Sequence, residues 1–308
     1  MSTSDSLLLG FPESSPVARR VAESAGLPYA EIAVHRFPDG ESQVTLPASR
    51  LAPHVVLYRS LDRPNDKLIE LLMVCRTLRA QGVLRLTLVA PYLCYMRQDM
   101  AFHPGEVVSQ PVIGGWLAGL FDGVITVDPH LHRVARLAEA LPAKQAITLS
   151  AAPAFVEYLR TQKFLDDTLL LGPDSESEQW VRGIAEAAGL PYAIAQKQRQ
   201  GDRSVVIRLP DAVALQGRTV ILLDDMASTG RTLITAAEQA KVHGAGEIRV
   251  LVTHALFVND SLQKLRQSPI SHIGSSDSIL HETNVVRLDK LLAASLIGLN
   301  ALSGRCRD

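Results

Sequence analysis

The sequence predicts an α/β protein of two similar domains with mainly parallel sheets, related by internal duplication. Short unbroken apolar runs, such as the leucines of LLLG from Leu7, Val220 to Leu223 and Ile248 to Val252, have the length and composition of strands buried on both faces. They alternate with segments of helical spacing, the order that builds parallel sheets from strand-helix-strand units. The chain also repeats itself. LLLG at Leu7 to Gly10 returns 162 residues on at Leu169 to Gly172, and AGLPYA at Ala25 to Ala30 returns 163 residues on at Ala188 to Ala193. VVLYRSLDRPNDKL from Val55 lies 165 residues before VILLDDMASTGRTL from Val220, with Gly82 opposite Gly246. A hexapeptide recurring at nearly the offset of other matches marks a degenerate duplication. We place the domains at residues 1–146 and 147–308, with the join near 143–150. A chain of 308 residues already exceeds what one core usually serves.

In chain order, LLLG opens a strand, and Val17, Val21, Ala22 and Ala25 give the next segment helical spacing. HRFPDGE, from His35 to Glu41, is a turn by composition, with Pro38, Asp39 and Gly40. A strand from Val55 leads to a helix over Lys67 to Leu78. Leu84 to Val89 is a strand, so Arg97, Gln98 and Asp99 follow a strand end, where open parallel sheets bind ligands. Val107 to Leu120 reads as a helix with Trp116 and Leu117 on its apolar face. Val124 to Val127 is a strand that ends in Asp128, Pro129 and His130. His130 is either a satisfied loop histidine or a ligand for a divalent cation.

In the second half, Thr168 to Gly172 runs into PDSESE. Asp174 stands at this strand end, where a capping role, shared with Ser175 and Ser177, explains it equally well. QKQRQGDR, from Gln196 to Arg203, reads as a mobile basic loop. A strand end near Ser275 to Ser278 precedes a helix carrying Leu291, Leu292 and Leu296, and the tail after Ile297 is expected to be disordered or lightly packed.

Composition narrows the partners. Lys and Arg total 31 against 32 Asp and Glu, a formal charge of -1, so no global field draws the chain to nucleic acid or to an anionic membrane. Phosphate binding must be local. MSTSDSLLLG lacks a basic n-region, and the apolar runs are strand-sized, so neither a signal peptide nor a membrane span is expected. Cys75, Cys94 and Cys306 are scattered and odd in number, which fits inert thiols in a reducing cytoplasm and no zinc site.

The most informative stretch is RTVILLDDMASTGRTLITAAEQAKVHGAGEIRVLVT, from Arg218. A buried strand stops at Asp224 and Asp225, the small residues Ala227 to Gly230 turn the backbone tightly, and a helix opens near Thr232 and ends near Gly244. The free N–H groups of such a turn and the positive end of the helix dipole converge on a point that suits a phosphate monoester. Two carboxylates there would repel bare phosphate. They make sense if the ligand also carries hydroxyls or a divalent cation, as a sugar phosphate does. The Gly-Lys-Ser/Thr of a Walker loop is missing. In the first copy, Arg59 and its neighbours replace the acids and no small-residue turn follows, so the sugar-phosphate site belongs to the second half.

ILLDDMASTGRT resembles the phosphoribosyl-diphosphate loop of type I phosphoribosyltransferases and, more closely, of ribose-phosphate diphosphokinases. FPDGE, PYLCYMRQDMAFHPGE, VDPH, GPDS, KQR and DDMASTGRT, in this order over nearly the whole chain, favour the diphosphokinases. A phosphoribosyltransferase would normally have one such domain and no counterpart of Arg-Gln-Asp or Phe-Pro-Asp-Gly-Glu. The resemblance implies type I phosphoribosyltransferase-like domains and transfer of the β,γ-diphosphoryl group of ATP to ribose 5-phosphate, giving phosphoribosyl diphosphate and AMP with Mg2+.

It implies that Ser228, Thr229, Gly230, Arg231 and Thr232 hold the 5-phosphate while Asp224 and Asp225 accept from the ribose hydroxyls. Arg97 and Gln98 would hold ATP, with Phe37, Asp39, Gly40 and Glu41 at adenine and ribose. That last loop comes from a neighbouring subunit in the family, which implies a homo-oligomer of at least a dimer, with tetramer or hexamer left open. His130 and Asp174 would be linked to Mg2+, directly or through water. Lys197 and Arg199 would stabilise charge on the transferred group, Arg199 also meeting ribose 5-phosphate. Ser228, Gly230 and Arg231, and Glu176 with Ser177 after GPDS, depart from common family residues; they bear on sugar specificity and regulation more than on reaction type. The alternatives are a catalytically silent regulatory homologue and a phosphotransferase acting on a related sugar phosphate.

Overall fold

The computed structural model describes residues 5–48, 51–131, 133–162, 167–200, 204–208 and 214–304, without the side chains of 197–200, 204–208 and 300–304. The first apolar run folds as β1 (Ser6–Gly10), buried along its whole length as a strand covered on both faces must be. Helix α1 (Ser15–Ala25) buries Val17, Ala18, Val21, Ala22 and Ala25 and closes at Gly26, whose φ of 64° is the left-handed conformation that ends many helices. Then follow β2 (Tyr29–Glu31), the antiparallel hairpin β3 (Ala33–Arg36) and β4 (Ser42–Thr45), β5 (His54–Tyr58), α2 (Pro64–Ala80), β6 (Arg85–Val89), α3 (Ser109–Leu120), β7 (Gly123–Val127), α4 (Leu137–Ala140) and β8 (Gln145–Leu149).

The second series runs α5 (Ala152–Arg160), β9 (Thr168–Gly172), α6 (Glu178–Ala188), β10 (Tyr192–Ile194), the hairpin β11 (Gln196–Gln200) and β12 (Ser204–Arg208), β13 (Thr219–Ala227), α7 (Arg231–Val242), β14 (Glu247–Ala255), α8 (Ser261–Gln267), β15 (His272–Ser276), β16 (Asn284–Val286) and α9 (Asp289–Gly304).

Each series makes a parallel sheet of six strands, in the orders β2-β1-β5-β6-β7-β8 and β10-β9-β13-β14-β15-β16. The orders correspond strand for strand, as duplication requires. The repeated strings mark positions with the same physical demand in both copies. Gly189 closes α6 with φ 71°, as Gly26 closes α1. A Cβ on Gly10 would lie 2.7 Å from the Tyr29 hydroxyl oxygen, and one on Gly172 would lie 2.4 Å from Ser177 Oγ, so neither strand end has room for a side chain. In the second sheet Leu169, Leu171, Val220, Leu222, Val250 and Val252 form one core with Leu233, Ala236, Ala237 and Ala240 of α7. The alanines let the helix approach the sheet closely.

The chain forms two compact units. One runs to Ser150 and takes in Ser278–Leu280 and the closing segment from Leu288; the other comprises Ala151–Asp277 and His281–Arg287. Thus α9, last in the chain, belongs to the first unit. It packs on α1 and buries Leu292, Ala293, Leu296 and Leu299, and Ser24 Oγ donates to Asp289 Oδ2 at 3.2 Å.

Three expectations change. The tail is not loose after Ile297, because α9 continues to Gly304 with Leu299 buried. β13 does not stop at the acids: it runs to Ala227 because β14 stays alongside, pairing Asp224 with Val252 and Ala227 with Ala255. Residues 196–200 are not a loop but a strand, laddered from Gln196–Arg208 to Gln200–Ser204, and 201–203 lie outside the described residues. No helix among the described residues is long and apolar enough to cross a membrane.

Candidate active site

β9 and β13 are parallel neighbours, so their carboxyl ends deliver acids to one edge of the second sheet. Asp174 follows β9. Its Oδ1 accepts from the Glu176 N–H at 3.1 Å, and Ser177 Oγ donates to its carbonyl at 2.6 Å, which fixes the turn. On β13, Asp225 is buried and Asp224 half-buried, with Asp224 Oδ1 accepting from the Asp225 N–H at 3.0 Å. Burial first, and then the charges of Asp225 and Asp174, push the Asp224 carboxyl well above the usual carboxylate range. Negative charge is therefore crowded at this edge.

Past Ala227 the backbone bends at Ser228 and Thr229, reaches Gly230 with φ 71°, and enters α7 at Arg231. Carbonyls of the bend are held from behind, Ala227 by the Phe257 N–H at 2.9 Å and Ser228 by the Val258 N–H at 3.1 Å. The first N–H groups of a helix have no acceptor within it, and Ser228 and Thr232 add half-buried hydroxyls beside them. Thr229 and Arg231 are exposed. Such a turn can take a phosphate at the helix N-terminus while the adjoining carboxylates accept from hydroxyls or attract a cation. Among the described residues no three His, Cys, Asp or Glu side chains are grouped to hold a metal ion by themselves. The carboxylates of Asp174, Asp224 and Asp225 are hard oxygen donors, the kind that Mg2+ takes one or two at a time while keeping water and phosphate oxygens in its shell.

Lys197 and Arg199 stand on β11 opposite Ile207 and Val205 of β12. Their side chains lie outside the described residues.

In the first unit the corresponding strand end is closed. Arg59, immediately after β5, is buried: its Nε meets Glu13 Oε1 at 2.7 Å, its Nη1 donates to the Lys67 carbonyl at 3.2 Å, its Nη2 is paired to Glu70, and its guanidinium lies 3.8 Å from the centre of the Phe11 ring. Lys67 Nζ in turn donates to the Ser60 carbonyl at 2.8 Å and pairs with Asp62 at 2.7 Å.

The loop after β6 carries Arg97, exposed, and Gln98, whose Oε1 accepts from Ser109 Oγ at 3.0 Å, which leaves the amide nitrogen as the end available to donate. Asp99 beside them is buried at its carboxylate and pairs with Arg133 at 2.5 Å. His130 follows β7, half-buried, two residues after Asp128, which takes a left-handed φ of 38°. The β3–β4 turn gathers Phe37, Asp39, Gly40 and Glu41. The Phe37 N–H donates to the Glu41 carbonyl at 2.8 Å, Asp39 Oδ1 accepts from the Glu41 N–H at 3.1 Å, and Gly40 has φ 95°. Phe37 is 42% exposed, with His35 edge-on at 4.9 Å. A groove of about 540 Å3 beside this turn is lined by Asp39, Gly40 and Glu41 together with Asp66, Ile69 and Met73 of α2, not by Arg97 or Gln98. The structure thus gathers Phe37 to Glu41 on one turn and Arg97 with Gln98 on one loop. Sequence reasoning missed the Arg59 and Glu70 pair; its one signal was an arginine directly after the apolar run ending at Tyr58.

Residues 7–118 match the family model for the N-terminal domain of ribose phosphate pyrophosphokinase, and residues 178–302 match that for the phosphoribosyl synthetase-associated domain. The chain is 31% identical over 274 residues to the ribose-phosphate pyrophosphokinase of Methanopyrus kandleri, covering 89% of this chain and 92% of that protein. It is 32% identical over 246 residues to that of Thermococcus kodakarensis, covering 80% and 85%. Its fold is similar to the crystal structure of phosphoribosylpyrophosphate synthetase from Mycobacterium smegmatis, with TM-score 0.79 and 21% identity over 96% of this chain and 99% of that one.

Proposed function

The chain belongs to the ribose-phosphate pyrophosphokinase family, and from that membership we propose that it transfers the β,γ-diphosphoryl group of ATP to the anomeric hydroxyl of ribose 5-phosphate, releasing AMP and phosphoribosyl diphosphate for nucleotide biosynthesis. The observation that supports this most is the second sheet edge, where a helix N-terminus after a bend of small residues adjoins the crowded carboxylates Asp224 and Asp225. Neither half alone selects a sugar phosphate.

Ser228 to Thr232 receive the 5-phosphate through N–H and hydroxyl donors, and Asp224 and Asp225 accept from the ribose hydroxyls, orienting the anomeric oxygen. Arg97 and the donor end of Gln98 bind the nucleotide phosphates, and the Phe37 to Glu41 turn holds adenine and ribose. Lys197 and Arg199 stabilise charge on the group in flight, the main lever a protein has in phosphoryl transfer. His130 and Asp174 would hold Mg2+, directly or through water, which would supply neutralisation of the phosphate charge. The enzyme acts in the cytoplasm as a homo-oligomer of at least two subunits, without nucleic acid or membrane.

The test is product analysis with ATP, ribose 5-phosphate and Mg2+, run beside Lys197→Ala. AMP and phosphoribosyl diphosphate should form in equal amounts, and the variant should be slower by about 100-fold or more. ADP in place of AMP would mean simple phosphorylation of the sugar and overturn the reaction type. Binding without turnover would point to a silent regulatory homologue.

A further inference from the structure

We infer that Glu70 is a positioning residue for the nucleotide-binding turn, acting through the last rung of the β3–β4 hairpin. The inference rests on the function proposed above. Glu70 sits on α2 and is fully buried. Burying a carboxylate is costly unless it is paired on both oxygens, and here the partners come from two directions. Oε2 takes Nη2 of Arg59, itself held by Glu13, the Lys67 carbonyl and the Phe11 ring. Oε1 accepts from Ser42 Oγ at 2.6 Å and faces Nη2 of Arg36 at 3.5 Å.

Arg36 and Ser42 are register partners, the final pair of the ladder before the turn. Arg36 directly precedes Phe37, and Ser42 directly follows Glu41. One carboxylate therefore grips both strands where they enter the turn and ties them to an arginine immobilised at the sheet edge. Arg36 adds a second tie to α2 through Asp66. Among the described residues the hairpin has no strand of the main sheet as a ladder partner, so these side chains fix the direction in which the turn projects. A binding loop displaced by a fraction of an ångström loses its orientation of the nucleotide even when every contacting residue is intact.

A purely structural role predicts lost stability alone. Replacing Glu70 itself would leave Nη2 of a buried guanidinium without its carboxylate, so the informative variants are Ser42→Ala and Arg36→Met, each of which removes one of the hairpin's two ties to Glu70 and leaves Arg59 paired. Steady-state kinetics with ATP and ribose 5-phosphate varied in turn, calorimetric titration with a non-hydrolysable ATP analogue, and thermal unfolding are measured for each. The KM for ATP and the analogue's Kd should rise on the order of 10-fold in both variants, beside a lowered unfolding midpoint, while the ribose 5-phosphate KM stays unchanged. If the wild type turns over ATP and both variants keep its ATP KM, Glu70 has no such role. If the wild type neither binds nor turns over ATP, the proposed function falls and takes this inference with it.

Discussion

Gly230→Ala tests whether the phosphate-binding turn is as tightly specified as its geometry indicates. Gly230 has φ 71°, a conformation that costs an L-residue about 1–2 kcal/mol. The new methyl would also lie 3.0 Å from Leu265 Cδ1 and 3.1 Å from its Cγ. Leu265 is fully buried and would have to shift by a few tenths of an ångström, so overpacking adds roughly 1–3 kcal/mol. Together these come to about 2–5 kcal/mol, or on the order of 4–20 °C in Tm for a domain of this size.

The two costs separate in a double-mutant cycle, because Leu265→Ala removes the crowded carbons but cannot change φ. Urea unfolding of the four proteins should give a favourable coupling of roughly 1–3 kcal/mol, with the backbone cost left in the double variant. Ribose 5-phosphate saturation should show a raised KM in both proteins that carry Gly230→Ala, since the backbone N–H groups of the turn are displaced. Simple additivity of the two substitutions would refute the contact, and an unchanged KM would refute the placement of the phosphate.

Asp224→Asn removes a carboxylate that burial, Asp225 and Asp174 disfavour, so thermal unfolding in EDTA should show a more stable protein while activity falls; a variant that is less stable in EDTA contradicts the crowding. Asp122 behaves in the opposite sense. Burial opposes its charge, but Arg79 at 2.6 Å, the Leu86 N–H at 3.0 Å and Lys144 at 2.9 Å prevail and hold its carboxyl at about 2, against 3.8 for the ordinary group. The stabilisation is complete above the unfolded value and is lost as pH falls through the folded one, so Asp122→Asn should cost about 1 kcal/mol at pH 7 after allowance for solvent screening, with the gap closing toward pH 2. An equal gap at both pH values would show the loss is steric. Burial pushes the thiols of Cys75 and Cys94 up to about 12, so mass spectrometry after thiol labelling of the native protein near pH 8 should find both unmodified. Labelling of either faster than unfolding would contradict this.

The duplicated architecture was legible because the surviving identical strings sit where backbone geometry tolerates little else. Gly26 and Gly189 must take positive φ, and Gly10 and Gly172 have no room for a side chain. The turn at the second sheet edge was legible because an apolar strand runs into two acids and then into small residues that bend the chain into a helix. Features set by distant partners were not. β13 outruns its apolar stretch because β14 supplies the ladder, and β11 is a strand of polar residues because β12 lies opposite. Glu70 meets Arg59 and the hairpin across chain separations that leave no periodic trace, and the apolar face of α9 says that it is covered without saying by what.

That last helix bears on the order in which the two units are completed. A ribosome finishes every strand of the first sheet long before it reaches Asp289, yet the face of α1 that α9 covers stays bare until the final segment emerges. The half of the enzyme begun first is completed last, and a nascent chain arrested at the join would carry an open apolar seam, a substrate for chaperones rather than a finished domain.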